Sequence, residues 1–370
     1  MIEIFLILFV ILTIVFGHIV FDQPRYLSAT TTESHPVSII IPARNEARNL
    51  PILLDSLEKQ NIKTEIIVVN DRSTDQTLEV IKDYDVKVIN LEDNPWNGKS
   101  FVCFSGVEHA THDTLLFLDA DTTLSGANAI AYMLDSYKLQ NNRGILSMQP
   151  YHQTKKYYEK LSTVFNLMTV MGVNVFSAIK KFSKTSTVFG PALLTNKSDY
   201  KLTGGHEFAK DRVIEGEGLF DAYDAHNLPI QLYLGKNVVH MQMYPGGIKS
   251  VIRGWSKHIA SGSDNTHPVH MLMIILFLGG AFAPISMLAL SVLFDIHLLS
   301  WLIAYFIFGL NFFVLSSRVI SIDYSSIIIY PLYVIFFFCI YGLSWYQTNI
   351  SKTVTWKGRK IRINNRENND

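Results

Sequence analysis

Two kinds of hydrophobic pattern share this chain. Residues 4–20 form an almost unbroken apolar run, and three more such runs, at 269–294, 298–316 and 326–345, crowd the C-terminal part. Each is long enough to cross a bilayer as a helix. Between them, from residue 35 on, short apolar stretches alternate with amphipathic ones. That pattern predicts strands at 37–42, 65–70, 86–90, 114–118 and 144–149, with helices at 50–59, 74–83, 99–110 and 128–139. Strands that alternate with helices require right-handed crossovers and so a mainly parallel sheet. A further apolar stretch, 157–182, is broken by Asn166 and Asn174 and ends in Lys180 and Lys181. It is expected to lie as a helix at a membrane interface rather than to span.

One predicted strand stands out. Leu115-Leu116-Phe117-Leu118 is followed at once by Asp119-Ala120-Asp121, which places two carboxylates beyond the carboxyl end of a buried strand, where open α/β sheets bind their ligands. The Asp-x-Asp spacing alone says little, because Asp83-Tyr84-Asp85 repeats it at the end of a helical pattern. The bland alternative for Asp119 and Asp121 is a solvated turn that caps the next helix. The earlier strands, however, end in polar loops at the same edge. Pro42-Ala43-Arg44-Asn45-Glu46 follows the first, Asn70-Asp71-Arg72-Ser73-Thr74-Asp75 the second, and a loop carrying Lys99 comes after the third. Singly, Asn45 and Ser73 read as helix caps and Lys99 as a solvated first-turn residue. Together the four loops offer what a nucleoside diphosphate needs: polar groups for base and ribose, a lysine for phosphate, and acidic residues to hold a divalent cation.

Composition narrows the class. Apolar residues make up 48% and charged residues 17% of the 370, and the formal net charge is zero. No basic stripe marks a nucleic-acid binder, and the apolar excess points to a membrane protein. The run 4–20 follows Glu3 rather than a basic cluster and precedes no small-x-small site, so a retained anchor is expected rather than a cleaved signal peptide. Cys103 and Cys339 are too few for a disulfide framework or a zinc site, which fits a reducing compartment.

Residues 37–46 (VSIIIPARNE), 69–75 (VNDRSTD), Gly98-Lys99-Ser100 and Asp119-Ala120-Asp121, in that order, resemble glycosyltransferase family 2 and its GT-A nucleotide-sugar fold. A narrower set, which includes residues 147–152 (SMQPYH), 165–170 (FNLMTV), 189–191 (FGP), 194–197 (LTNK), 204–206 (GGH) and 255–258 (WSKH), resembles the branch of that family that glucosylates a C30 carotenoid acid in staphyloxanthin-type synthesis. The resemblance implies an α/β GT-A fold with N- and C-terminal transmembrane helices. It implies an anchor over 1–22, a nucleotide-sugar-binding half over 35–150, an acceptor-binding half over 151–262, a transmembrane region over 268–347 and a basic tail over 348–370. The implied activity is that of an inverting hexosyltransferase in the cell membrane, its catalytic domain facing the cytoplasm, using Mg²⁺ or Mn²⁺. Its implied partners are UDP-glucose, a lipophilic carotenoid acid, membrane lipid and other carotenoid enzymes, with no nucleic acid.

On this resemblance Glu46 and Asp71 would bind the nucleoside, with Pro42, Asn45 and Ser73 alongside. Lys99 would meet the phosphates, and Asp119 with Asp121 the ribose and the metal. Asp121, Glu215 and Trp255 are the implied catalytic positions, and His206, Arg253, Lys257 and His258 the candidates for acceptor or phosphate. Two family motifs depart from pattern. Where many members carry an adjacent Glu-Asp whose aspartate is the general base, this chain has Glu215-Gly216, with Glu217 as an extra acidic residue; where they carry Gln-x-x-Arg-Trp, it has Val251-Ile252-Arg253-Gly254-Trp255. Arg253 and Lys257 read equally well as a basic face against anionic lipid. A polyprenyl phosphate or glycerolipid acceptor, and a non-catalytic nucleotide-binding scaffold, stay open as alternatives. One conflict concerns topology. A cytosolic catalytic domain followed by three spans sends the tail outside, yet Lys352, Lys357, Arg359, Lys360, Arg362 and Arg366 assign it inside. A re-entrant 269–294, with Gly279, Gly280 and Pro284, is the expected resolution.

Overall fold

The structure is a computed structural model that describes residues 2–28, 36–96, 98–180, 186–212, 214–256 and 266–349, with backbone stretches at 353–356 and 359–362. The chain divides into a globular unit, Pro24–His152 with Thr185–Gln242, and a helical unit, Met1–Gln23 with Gln153–Lys184 and Met243–Asp370.

In the globular unit the strands are β1 (Val37–Ala43), β2 (Glu65–Asn70), β3 (Lys87–Asn90), β4 (Thr114–Leu118), β5 (Thr122–Leu124), β6 (Ile145–Gln149), β7 (Tyr151–His152), β8 (Ala192–Asn196), β9 (Ile230–Leu234) and β10 (Val239–Met241). Seven of them form one sheet in the order β3-β2-β1-β4-β8-β6-β9, and β5, β10 and β7 form a smaller one. Every pairing in the large sheet is parallel except those of β8, which runs antiparallel to β4 and β6. The five predicted strands are present, and the helices Leu50–Glu58, Lys99–Glu108 and Ala129–Lys138 fall where the periodicity placed them.

β1 is buried almost throughout, as a central parallel strand covered on both faces must be. On one face Ile39, Ile41, Val68, Leu116 and Leu118 share a core with Leu50, Leu53 and Met133 from the flanking helices. On the other, Lys99–Glu108 presses so close that a Cβ on Gly106 would come 2.5 Å from Ile40 Cγ2. Full burial of each such aliphatic side chain stabilises by about 1.5–3 kcal/mol, which fixes the strand ends and the loops that leave them.

The helix predicted at 74–83 is absent; the backbone there runs in successive turns, with Glu79 N–H on Gln76 O at 3.0 Å and Tyr84 N–H on Ile81 O at 3.2 Å. Asp75 supplies the reason. Its carboxylate accepts from Thr77 N–H (3.0 Å) and from Ala47 N–H across the loop (3.2 Å), and side-chain bonds of this kind compete with helix formation.

Among the described residues the helical unit contains four helices long and apolar enough to cross a membrane: Ile2–Val20, Pro268–Leu290, Leu298–Ser316 and Ser326–Tyr346. Ile2–Val20 and Leu298–Ser316 run in the same direction, because Glu3 meets His297 (3.1 Å) and Trp301 (3.1 Å) while His18 meets Asn311 (2.9 Å). The second segment runs the other way: Phe277 packs over Gly17, and Gly280 over Thr13. It breaks at Ala281 into Pro268–Gly280 and Phe282–Leu290, yet the chain goes on from Thr13, beside Gly280, to Glu3, beside His297. It does not fold back as a re-entrant loop would.

The stretch 157–182 also differs from expectation. Tyr157–Ser162 is a 3₁₀ turn and Thr163–Gly172 a helix of 10 residues, with 181–182 outside the described residues. Val164, Phe165, Asn166 and Leu167 are all buried, so the helix shows no single apolar face. It packs among the long helices instead.

Candidate active site

The first three loops are stitched together by side chains that the spacing marked as caps. Asn45 has a left-handed backbone (φ 59). Its N–H donates to Ser73 Oγ (3.0 Å), and its own Oδ1 accepts from Thr74 N–H (2.8 Å). Neither residue caps a helix; both tie the loop after β1 to the loop after β2. Glu46 N–H donates to Thr77 Oγ1 at 2.8 Å, and the Glu46 carboxylate accepts from Asn49 Nδ2 at 2.7 Å. Asp71, buried beyond β2, accepts from Arg44 (3.1 Å), Arg72 (3.2 Å) and Asn94 Nδ2 (3.2 Å). Asn94 in turn holds Gly98 O at 3.0 Å, which places the loop before Lys99. Pro42, one residue before β1 ends, sits beside Val69 in register.

Lys99 opens its helix and is the centre of the charge. Its Nζ lies 2.7 Å from Asp119 Oδ1 and 3.5 Å from Glu215 Oε1, and donates to Gly190 O at 3.1 Å. Burial opposes the ammonium, but the charges of Asp119 and Glu215 outweigh it and raise Lys99 above the usual lysine range. Burial also works against ionised Glu215, yet Lys99 and His206 hold it down at about 2. Asp119 goes the other way, pushed up by burial against the pull of Lys99. Asp121 keeps an exposed face; the burial of its remaining surroundings, then the negative charges of Asp119 and Glu46, push it up to about 7.

His206 belongs to this cluster. Its Nε2 lies 3.2 Å from Glu215 Oε1, and Tyr200 Oη lies 2.9 Å from Nδ1 while accepting from the His206 N–H at 3.2 Å. With the Tyr200 hydroxyl donating to Nδ1, the ring proton is assigned to Nε2, facing Glu215. The two preceding glycines make this seat possible. Gly204 and Gly205 have φ of 75 and 47, and a Cβ on Gly205 would fall 2.3 Å from the Tyr200 ring.

The structure thus brings Asn45, Glu46, Asp71, Ser73, Lys99, Asp119, Asp121, His206 and Glu215 to one edge of the globular sheet or into contact with residues that lie there. Glu217 is half-buried on the same helix as Glu215. Trp255 and Arg253 are in the helical unit. There Trp255 stacks on Phe165 (4.8 Å) and donates to Ser162 Oγ (3.0 Å), while Arg253 is exposed. Lys257 and His258 lie outside the described residues. Sequence reading missed the partners: Tyr200, the Gly190 carbonyl, and the passage of Val188 over Gly216. The only advance signal was the Phe189-Gly190-Pro191 break before β8.

Among the described residues no group of three or more His, Cys, Asp or Glu side chains is placed to hold a metal ion unaided. Asp119 and Asp121 nonetheless fit a hard cation whose shell is completed by diphosphate and water, since Mg²⁺ is commonly held by one or two carboxylates plus substrate phosphates. Burial and then the negative charges of Asp119 and Glu46 raise Asp121, and a bound cation would offset both.

The mainly parallel sheet, with acidic residues and Lys99 gathered at one edge, is the frame that the sequence resemblance implies. Residues 38–200 match the model of glycosyl transferase family 2. The chain is 39% identical over 353 residues to a 4,4'-diaponeurosporenoate glycosyltransferase of Staphylococcus aureus (strain USA300), covering 94% of each chain; the relative from strain N315 is 38% identical over the same length. A solved mannosyltransferase of Pyrobaculum calidifontis, in complex with GDP-Man and Mn²⁺, shares the fold at 15% identity, with a TM-score of 0.53 over 93% of this chain and 99% of that one. The chain therefore belongs to glycosyltransferase family 2, and it is an inverting glycosyltransferase.

Proposed function

We propose that this enzyme transfers glucose from UDP-glucose to the carboxyl group of a C30 carotenoid acid of the 4,4'-diaponeurosporenoate type, forming a glucosyl ester at the cell membrane. The observation that carries this reading is identity to the 4,4'-diaponeurosporenoate glycosyltransferases along nearly the whole of both chains, rather than over the donor-binding part alone. The catalytic domain would face the cytoplasm, where nucleotide sugars are found.

Within that reading each residue has a task. Asp71 and Glu46 hold the nucleoside, on loops that Asn45 and Ser73 keep in place. Lys99 meets the diphosphate. Asp119 and Asp121 hold Mg²⁺ or Mn²⁺, which when bound neutralises charge developing on the departing diphosphate. An acceptor oxygen forms a bond to the anomeric carbon from the face opposite UDP, the bond from that carbon to the diphosphate breaks, and the electron pair leaves with UDP.

Purified full-length protein in lipid nanodiscs should release UDP from UDP-glucose only when both the carotenoid acid and Mn²⁺ are added, and the extracted lipid product should be coloured. Acceptor-dependent UDP release with a glycerolipid and none with the carotenoid acid would reject the assignment.

A further inference from the structure

We infer that His206, seated on Tyr200, is a positioning residue for Lys99: through Glu215 it keeps the ammonium available to the diphosphate of the donor. The inference rests on the reading of Lys99 as the partner of that diphosphate, but not on which nucleoside, sugar or acceptor the enzyme takes. Exposure falls along the line of contacts and separates residues that can touch a ligand from those that cannot. The Lys99 side chain is 29% exposed and Asp119 25%, against 17% for Glu215 and 1% for His206. His206 is thus shut away from donor and acceptor alike. Its ring lies 4.8 Å from Phe117, on the strand that delivers Asp119, and Tyr200 stacks on the same ring at 5.6 Å. Tyr200 Oη meets both the His206 N–H and Nδ1. Only Nε2 is left, 3.2 Å from Glu215 Oε1 and with no other polar partner among the described residues. Burying a polar group costs free energy unless a partner compensates it, and the partner this histidine is aimed at is Glu215.

Glu215 needs that second neighbour because of what Lys99 has to do. Lys99 Nζ faces two carboxylates, Asp119 at 2.7 Å and Glu215 at 3.5 Å, and donates to Gly190 O at 3.1 Å. Asp119 also fits the cation, so its charge is divided between ammonium and metal. Glu215 is the anion left to Lys99 alone. A buried carboxylate whose one cation is drawn toward phosphate closes on that cation and competes with the phosphate for it. The Nε2–H of His206 faces Glu215 from the other side and holds it back, with Lys99 near enough to be compensated and loose enough to turn to the donor. Removing His206 should therefore weaken the diphosphate's hold, although no atom of His206 reaches it.

The test titrates UDP and GDP, each with Mn²⁺ and without acceptor, into the full-length protein in nanodiscs and reads Kd by calorimetry. On whichever nucleotide the wild type holds, Lys99→Met should weaken binding by about 10²-fold. His206→Phe should weaken it by about tenfold and Tyr200→Phe, which frees the ring, by about threefold. His206→Gln, whose amide still donates, should stay within about threefold of wild type. In the Lys99→Met background His206→Phe should change Kd by less than about twofold, because an effect that runs through Lys99 is lost with Lys99. A tenfold loss repeated in that background would make His206 merely structural and overturn the inference. So would an unchanged Kd in His206→Phe and Tyr200→Phe, the result expected of an acceptor contact. Tyr200→Phe removes a single oxygen and carries the comparison, alone and in the Lys99→Met background, if His206→Phe does not fold. An unchanged Kd in Lys99→Met rejects the reading of Lys99 and the inference with it. Binding of GDP in place of UDP rejects the uridine donor only, and the same comparisons then decide the inference on GDP.

Discussion

Asp119 and Asp121 sit two residues apart in very different company. Asp119 has an ammonium 2.7 Å away, while burial first, and then the charges of Asp119 and Glu46, push the Asp121 carboxyl up to about 7. A divalent cation would benefit Asp121 most, because it lacks the compensation Asp119 already has. Asp121→Asn should therefore lower turnover by about 10²-fold or more and shift the Mn²⁺ activation curve to higher concentration, with the protein still folded and in the membrane. Near-normal turnover at limiting Mn²⁺ would count against the assignment. Gly216 makes a stability prediction of a different kind. Gly216→Ala forces a methyl against the Val188 carbonyl, at 2.1 Å in the present backbone, and overpacking of this sort typically costs about 1–3 kcal/mol. The thermal midpoint should fall by several degrees; an unchanged midpoint would show that 187–188 yields freely.

At the level of elements, what could be read in advance depended on whether local pattern or remote partners decided the outcome. β1, β2 and β4 are continuous apolar runs ending in polar loops, so their extents and the edge they share were legible from the sequence, and the carboxylates after β4 lie where that edge predicts. The stretch 74–83 has helical periodicity, but Asp75 spends its oxygens on Thr77 and on Ala47 of another loop; no pattern within the stretch could reveal that. β8 is a similar case. Its antiparallel insertion between β4 and β6 brings the Gly190 carbonyl to Lys99 and Pro191 O to Asp119 N–H (2.9 Å), a placement set by sheet topology and invisible to periodicity. Asn45 and Ser73 were legible as residue types suited to loop hydrogen bonds, but not as partners of each other. The apolar residues of Thr163–Gly172 suit a membrane interface and a packed interior equally well, so its surroundings could not be read from the stretch alone.

The whole molecule bears on where the basic tail lies. Ile2–Val20 ends at the face where the chain departs for the globular unit, Pro268–Leu290 sets out from that face, and Leu298–Ser316 returns to it, with Arg318 donating to Phe21 O. A fourth full crossing would carry the tail to the face of Glu3, against the positive-inside tendency. The contacts of the last helix, Ser326–Asn349, describe another course. Just before it Asp323 pairs with Lys160, and well along it Phe336 and Phe337 still pack on Phe165, at 6.1 and 5.0 Å. Tyr324 lies by Phe313 (5.3 Å) and Ile328 O accepts from Tyr305, a step backward along Leu298–Ser316, but further on Tyr333 lies by Phe312 (6.4 Å), so the helix does not go on retracing Leu298–Ser316 toward its start. If the catalytic domain is cytosolic, as proposed, the positive-inside tendency expects the tail on the face where Leu298–Ser316 ends. Single cysteines added near residues 2 and 368, in a background with Cys339→Ser, would report the sides through a membrane-impermeant thiol reagent. The first should react in intact cells and the second only after permeabilisation. Labelling of the tail cysteine in intact cells would establish a fourth crossing and return the topological conflict unsolved.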